Sequence, residues 1–199
     1  ILAFARKLIA PDAEGRGHKR VQYWTALALL RGVMSSPAAG IEMLNTRLDG
    51  LSPVADADEP DAENPVRDTE FGFEGDNAPT TVLEHTDWTT NQRQQLKSFA
   101  DRLEGLSGLF ADNKLSSAAT IVEDWLEDDF NPVIFCRYIS TAKYVGEYLD
   151  AVLKEKFPDA VVKVVTSELP DDVRRQQIED MGKAKRRVLV ATDCLSEGI

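Results

Sequence analysis

Hydrophobic and polar positions along this 199-residue chain pass through three regimes. The first is helical. Ile1 to Ile9 reads as the end of a helix that Pro11 stops. From Lys19 to Ser35, the positions Val21, Trp24, Leu27/Ala28, Leu30/Arg31 and Met34 recur at three- and four-residue spacing, which predicts an apolar stripe on one helix face. Ser36 before Pro37 is a helix start, and Ile41, Leu44 and Leu48 carry the pattern to Gly50. The second regime, from Leu51 to about Thr90, has no period. Pro53, Pro60, Pro65 and Pro79 interrupt a stretch dense in Asp, Glu, Asn and Gly. Such a segment buries too little apolar surface to offset the ordering of its backbone, so it is read as a flexible linker over 51–90.

Helical spacing returns over Asn91 to Leu106. A further helix follows with Leu115, Ala118/Ala119, Val122 and Trp125/Leu126 on one face, and Asn131-Pro132 breaks it. The third regime, 131–199, alternates strand and helix. Val133 to Cys136, Val161 to Val165 and Val188 to Ala191 are short apolar runs of strand type. Ser140 or Thr141 is positioned to cap the first intervening helix, with Val145, Tyr148/Leu149 and Val152/Leu153 repeating along it. Pro170 opens the second, with Asp171 and Asp172 at its positive end and Val173, Ile178 and Met181 as its buried face. This alternation predicts an α/β fold: a parallel sheet joined by right-handed crossovers and covered on both faces. The predicted organisation is a helical segment over 1–50, the acidic linker, lead-in helices over 91–130, and an α/β lobe over 131–199.

Composition is that of an ordinary soluble domain, 43% hydrophobic and 29% charged. No run approaches the ~18 apolar residues of a membrane span, so a cytoplasmic protein without a membrane partner is expected. The net charge of −11 is concentrated rather than spread. Residues 51–87 hold eleven Asp or Glu against one Arg, while residues 131–199 are balanced. The acidic stretch is either a solvating spacer or a tether that competes with nucleic acid, and it does not speak against nucleic acid at the last lobe. Cys136 and Cys194 form no disulfide framework or metal spacing and follow buried strands, so small-hydrophobe packing is expected of both. His18 and His85 have no ligand partners nearby in sequence.

In open parallel sheets, ligands bind beyond the carboxyl ends of the strands. Cys136-Arg137-Tyr138 follows the first strand and Thr192 to Gly198 the third. A cation and small hydroxyls at one sheet edge suit a phosphate-bearing ligand, although a satisfied surface loop has the same composition.

Three segments go further, in order and spacing. Ala191-Thr192-Asp193-Cys194-Leu195-Ser196-Glu197-Gly198-Ile199 resembles motif V of superfamily 2 helicases and translocases, in its Swi/Snf-type form. Val133 to Ala142 resembles motif IV. Val165-Thr166-Ser167-Glu168-Leu169-Pro170-Asp171-Asp172-Val173-Arg174 resembles the segment between them, with Ser167 where many members have glycine. Asp112-Asn113-Lys114-Leu115 is similar to the helix start that precedes this lobe. The resemblance covers roughly 112–199. It implies a three-layer RecA-like lobe of P-loop NTPase type, truncated at motif V and preceded by an α-helical segment.

By the same resemblance, Thr192, Arg137, Tyr138 and Ser167 contact the nucleic acid backbone, and Asp193, Glu197 and Gly198 face an ATP cleft. The implied partners are a nucleic acid, DNA in the first instance, and a first RecA-like lobe. The implied cofactors of the whole protein are ATP and magnesium. No Gly-x-x-x-x-Gly-Lys-Ser/Thr loop occurs, nor an Asp-Glu-x-His or Asp-Glu-Ala-Asp box. The chain opens at Ile1 and stops within motif V, so it is expected to be an internal piece with no ATP turnover of its own. The alternative is a non-catalytic docking scaffold with a degenerate α/β lobe. A Rossmann-type nucleotide binder lacks its Gly-x-Gly-x-x-Gly turn.

Overall fold

The structure, a computed structural model, describes residues 1–9, 16–48 and 88–192. These divide into two compact units, the first ending at Gly105 and the second starting at Leu106. The division falls inside the stretch 91–130 that the sequence pattern treats as one lead-in. Residues 51–87 of the acidic stretch lie outside the described residues.

Among the described residues four helices build the first unit: α1 (Leu2–Leu8), α2 (Arg16–Ser35), α3 (Pro37–Leu48) and α4 (Thr90–Glu104). Their starts follow local chemistry. Ser36 Oγ accepts from the Ala39 N–H at 3.1 Å, with Pro37 at the first helical position, where no N–H is needed. Thr89 and Gln92 form a reciprocal capping box at α4. Trp88, just ahead of that box, is buried and stacks on Phe4 with ring centroids 5.9 Å apart, while Phe99 meets Phe4 edge-on at 5.7 Å.

The stripe on α2 differs in phase from the sequence expectation. Its buried residues include Thr25, Ala26, Ala28 and Leu29, whereas Met34 is 76% exposed and Arg31 is exposed. Leu29 is fully buried beside the small Thr25, Ala26 and Ala28, while Leu27 and Leu30 are only partly buried; the side chains of Val21 and Trp24 lie outside the described residues. Of the expected stripe, Ala28 is buried and Arg31 and Met34 are not.

The second unit runs α5 (Asn113–Glu127), β1 (Val133–Phe135), α6 (Ile139–Lys156), β2 (Val161–Val165), α7 (Asp171–Met181) and β3 (Arg187–Ala191). Asp112 caps α5, accepting from the Lys114 and Leu115 N–H groups at 3.0 and 3.1 Å. After α5, Asp129 takes a left-handed turn, and Asn131 and Pro132 begin the sheet by accepting from the N–H groups of Arg187 and Leu189. All strands are parallel, in the order β1-β3-β2.

Alternation along the strands sends Ile134, Val162, Val164, Val188 and Val190 to one side. There they join Ala119, Val122 and Leu126 of α5 and Ala142, Leu149 and Leu153 of α6 in a single core. Gly146 lets α6 approach closely, since a Cβ built there would lie 2.1 Å from Val164 Cγ2.

On the other side α7 packs on β2, burying Met181, and Ile178 and Met181 line a shallow depression with Val133 and Leu189. Two sequence expectations change here. Val173 is exposed and Arg174 is the buried residue, its guanidinium folded back onto the Asp171 carboxylate. Among the described residues the sheet is also not covered on both faces throughout. Val133 and Phe135 of β1 are 47% and 58% exposed, because α7 lies over β2 and reaches only the margin of β1. Among the described residues three layers hold at β2 and two at β1.

Candidate nucleic-acid interface

Parallel pairing brings the ends of all three strands level. Phe135 and Val165 each pair with Ala191, so Cys136, Thr166 and Thr192 stand one step beyond the same row. The pairing continues past the strands. The Cys136 N–H donates to the Ala191 carbonyl at 2.7 Å, and the Thr192 N–H donates to the Val165 carbonyl at 3.2 Å. Four of the residues expected to contact nucleic acid thus lie along one edge: Arg137 and Tyr138 after β1, Ser167 after β2, and Thr192 after β3.

They are not equally presented. Arg137 and Ser167 are partly exposed, while Tyr138 and Thr192 are buried. A ligand lying on this edge meets the first two directly. It meets the others only through their backbone, or after what covers them has moved. Asp193, Glu197 and Gly198, expected at a nucleotide cleft, lie outside the described residues, as does Cys194.

The two helices that begin at this edge differ in what they offer an anion. Helix α6 starts at Ile139 with Tyr138 in the cap position, no side chain capping it and no acidic residue in its first turn. Its orphan N–H groups and dipole favour negative charge there. Ser140 and Thr141 fall inside the first turn rather than at the cap, which corrects the sequence expectation, and Ser140 Oγ is buried without a hydrogen-bond partner among the described residues. Helix α7 also lacks a side-chain cap, but Asp171 and Asp172 already occupy its positive end. The start of α6, beside Arg137, is therefore the better anion seat of the two.

Cys136 is buried, and loss of solvent pushes its thiol up to about 11, against a smaller downward pull from the Lys114 ammonium. It packs with the core and is no nucleophile at neutral pH. The influence of Lys114 also locates the first turn of α5 near the end of β1. Among the described residues no group of His, Cys, Asp and Glu could hold a metal ion, and no helix is long and apolar enough to cross a membrane.

The sequence reading does not single out Lys143 or Glu168 as site groups, yet they meet at this edge, Nζ to Oε2 at 2.6 Å. No local pattern signals that pair, because the sheet order is what brings α6 and the β2–α7 loop together.

No curated protein and no solved structure matches the chain. Residues 113–199, which include all three strands, match the family model described as helicase conserved C-terminal domain, and the matched stretch makes up the greater part of the second unit.

Proposed function

We propose that the second unit is the strand-gripping RecA-like lobe of an ATP-dependent translocase or helicase of the Swi/Snf-type branch of superfamily 2, acting on DNA in the cytoplasm. The observation that carries this reading is the coincidence of a match to the helicase C-terminal domain model with three strand ends held level at one sheet edge. Arg137 and the uncapped start of α6 would take one backbone phosphate, and Ser167 would lie along the same strand of nucleic acid. Tyr138 and Thr192 belong to the same interface, supporting it from beneath. Contacts of this kind fix position without reading bases, so little sequence preference and a marked salt dependence are expected.

ATP and magnesium would be held between this lobe and a first RecA-like lobe, with Asp193, Glu197 and Gly198 on the wall this chain supplies. Bound there, magnesium would neutralise charge on the phosphates. The helices of 1–50 and the acidic stretch 51–90 are, in this reading, an insertion and its tether. The scaffold alternative draws on the exposed side of β1, but it leaves the level arrangement of the three strand ends without a purpose.

The test is DNA-stimulated ATP turnover in a protein that joins this chain to a first lobe. Arg137→Ala should lower the stimulation about tenfold, in line with loss of a charge-assisted phosphate contact, and Thr192→Ala should lower it as well. Stimulation unchanged in both variants would remove this edge from nucleic acid binding. The 199-residue chain by itself should turn over no ATP.

A further inference from the structure

The ion pair between Lys143 and Glu168 spans two elements at the nucleic-acid edge. Lys143 stands in the second turn of α6, and Glu168 follows Ser167 in the β2–α7 loop. Their side chains are 58% and 52% exposed. Exposed pairs contribute little to stability, so this one is easily exchanged.

Neither residue is required by the packing around it. Helix α6 is anchored by Ala142, Gly146, Leu149 and Leu153, which are buried. The loop closes through its own turn, with the Leu169 N–H donating to the Thr166 carbonyl at 3.2 Å. The pair does change the charge of the edge. With Glu168 in place the Lys143 cation is neutralised, and Asp171 and Asp172 add further negative charge at the start of α7.

We propose that Lys143 is a phosphate ligand held in reserve by Glu168, so that a backbone phosphate arriving at the start of α6 displaces the carboxylate and takes over the ammonium. This rests on the nucleic-acid reading above. Glu168 then acts as an internal competitor. It lowers the affinity of the lobe for any strand and favours release, which a translocating lobe must achieve in every cycle. No bond is made or broken; one cation changes partner between two anions.

The experiment is anisotropy titration of the 199-residue chain with a fluorescent DNA duplex over a salt series. Glu168→Gln should tighten binding severalfold at low salt. Lys143→Ala in that background should abolish the gain and make the slope of log K against log salt shallower by about 0.9, the value for one phosphate contact. A gain that survives in Glu168→Gln/Lys143→Ala would show a general charge effect and overturn the exchange, as would no gain at all. Arg137→Ala separates the two levels of argument. If it weakens binding while the Glu168 and Lys143 variants behave as wild type, the interface stands and the exchange falls. If no protein binds the duplex, both fall.

Discussion

The hydroxyl of Tyr144, in the second turn of α6, donates to the carboxylate of Asp112 at 3.1 Å and accepts from the buried Gly108 N–H at 2.9 Å. Asp112 is also the cap of α5, so one phenol ties the entry of the second unit to the helix that leads from the proposed nucleic-acid edge. Gly108 takes a left-handed φ of 96°, which presents its N–H to the ring at no steric cost. Tyr144→Phe should cost about 1–3 kcal/mol, because a buried N–H is left without an acceptor. Asp112→Ala should cost about 1–2 kcal/mol through the lost cap, with Asp112→Asn milder. Urea unfolding of the single and double variants gives the coupling, and a Tyr144→Phe protein as stable as wild type would deny the tie.

Alkaline pH should act through the same core. Burial, aided by the Asp112 carboxylate, pushes the Tyr144 phenol up to about 12 against the opposing effect of the Gly108 N–H, and burial pushes the Cys136 thiol to about 11. Both groups are raised above their unfolded values, so their contribution is complete below the unfolded pKa and fades as pH climbs to the folded one. Unfolding midpoints should therefore fall from about pH 9 upward, first through Cys136 and then through Tyr144. Tyr144→Phe should flatten the upper part of that decline. An identical decline in the variant would exclude Tyr144 as its source.

Thiol chemistry offers an independent check on Cys136. In a Cys194→Ser background a disulfide reagent should label the native chain slowly at neutral pH and rapidly in urea, because the thiolate is disfavoured and Cys136 is only 7% exposed. Equal rates in the two states would contradict the burial.

Gly146→Ala tests the approach of α6 to the sheet. Alanine improves helix propensity by about 1 kcal/mol, yet its Cβ would overlap Val164, whose β-branched side chain has little freedom to turn away. Overpacking of this kind costs about 1–3 kcal/mol, so net destabilisation is expected. Adding Val164→Ala should recover part of it, by making room for the new methyl group. A Gly146→Ala protein more stable than wild type would mean that the helix can shift.

How much was legible beforehand depended on period and punctuation. Val161 to Val165 reads as a strand from its composition, and Ser36-Pro37 and Pro170-Asp171-Asp172 mark helix starts by local chemistry alone; all three hold in the structure. Helix faces were less legible wherever small or charged residues do the packing. Thr25 in α2 and Arg174 in α7 are buried where Met34 and Val173 are the more hydrophobic choices. The order β1-β3-β2 cannot be read from periodicity, and with it goes the Lys143–Glu168 pair. The row formed by Arg137, Ser167 and Thr192 is different, since parallel strands ending in polar loops already imply it. What the sequence did not disclose there is burial, which leaves Arg137 and Ser167 reachable and covers Tyr138 and Thr192.

The open side of β1 has a practical consequence for anyone handling this chain. Phe135 and Val133 project from a strand that, among the described residues, pairs on one side only. An unpaired edge with an apolar face is a template on which other molecules can add strands. Concentrated solutions should therefore drift towards oligomers, and light scattering should show Phe135→Lys staying monomeric at concentrations where the parent chain does not. Crystallisation and storage of this protein should accordingly improve when that exposed ring is shielded.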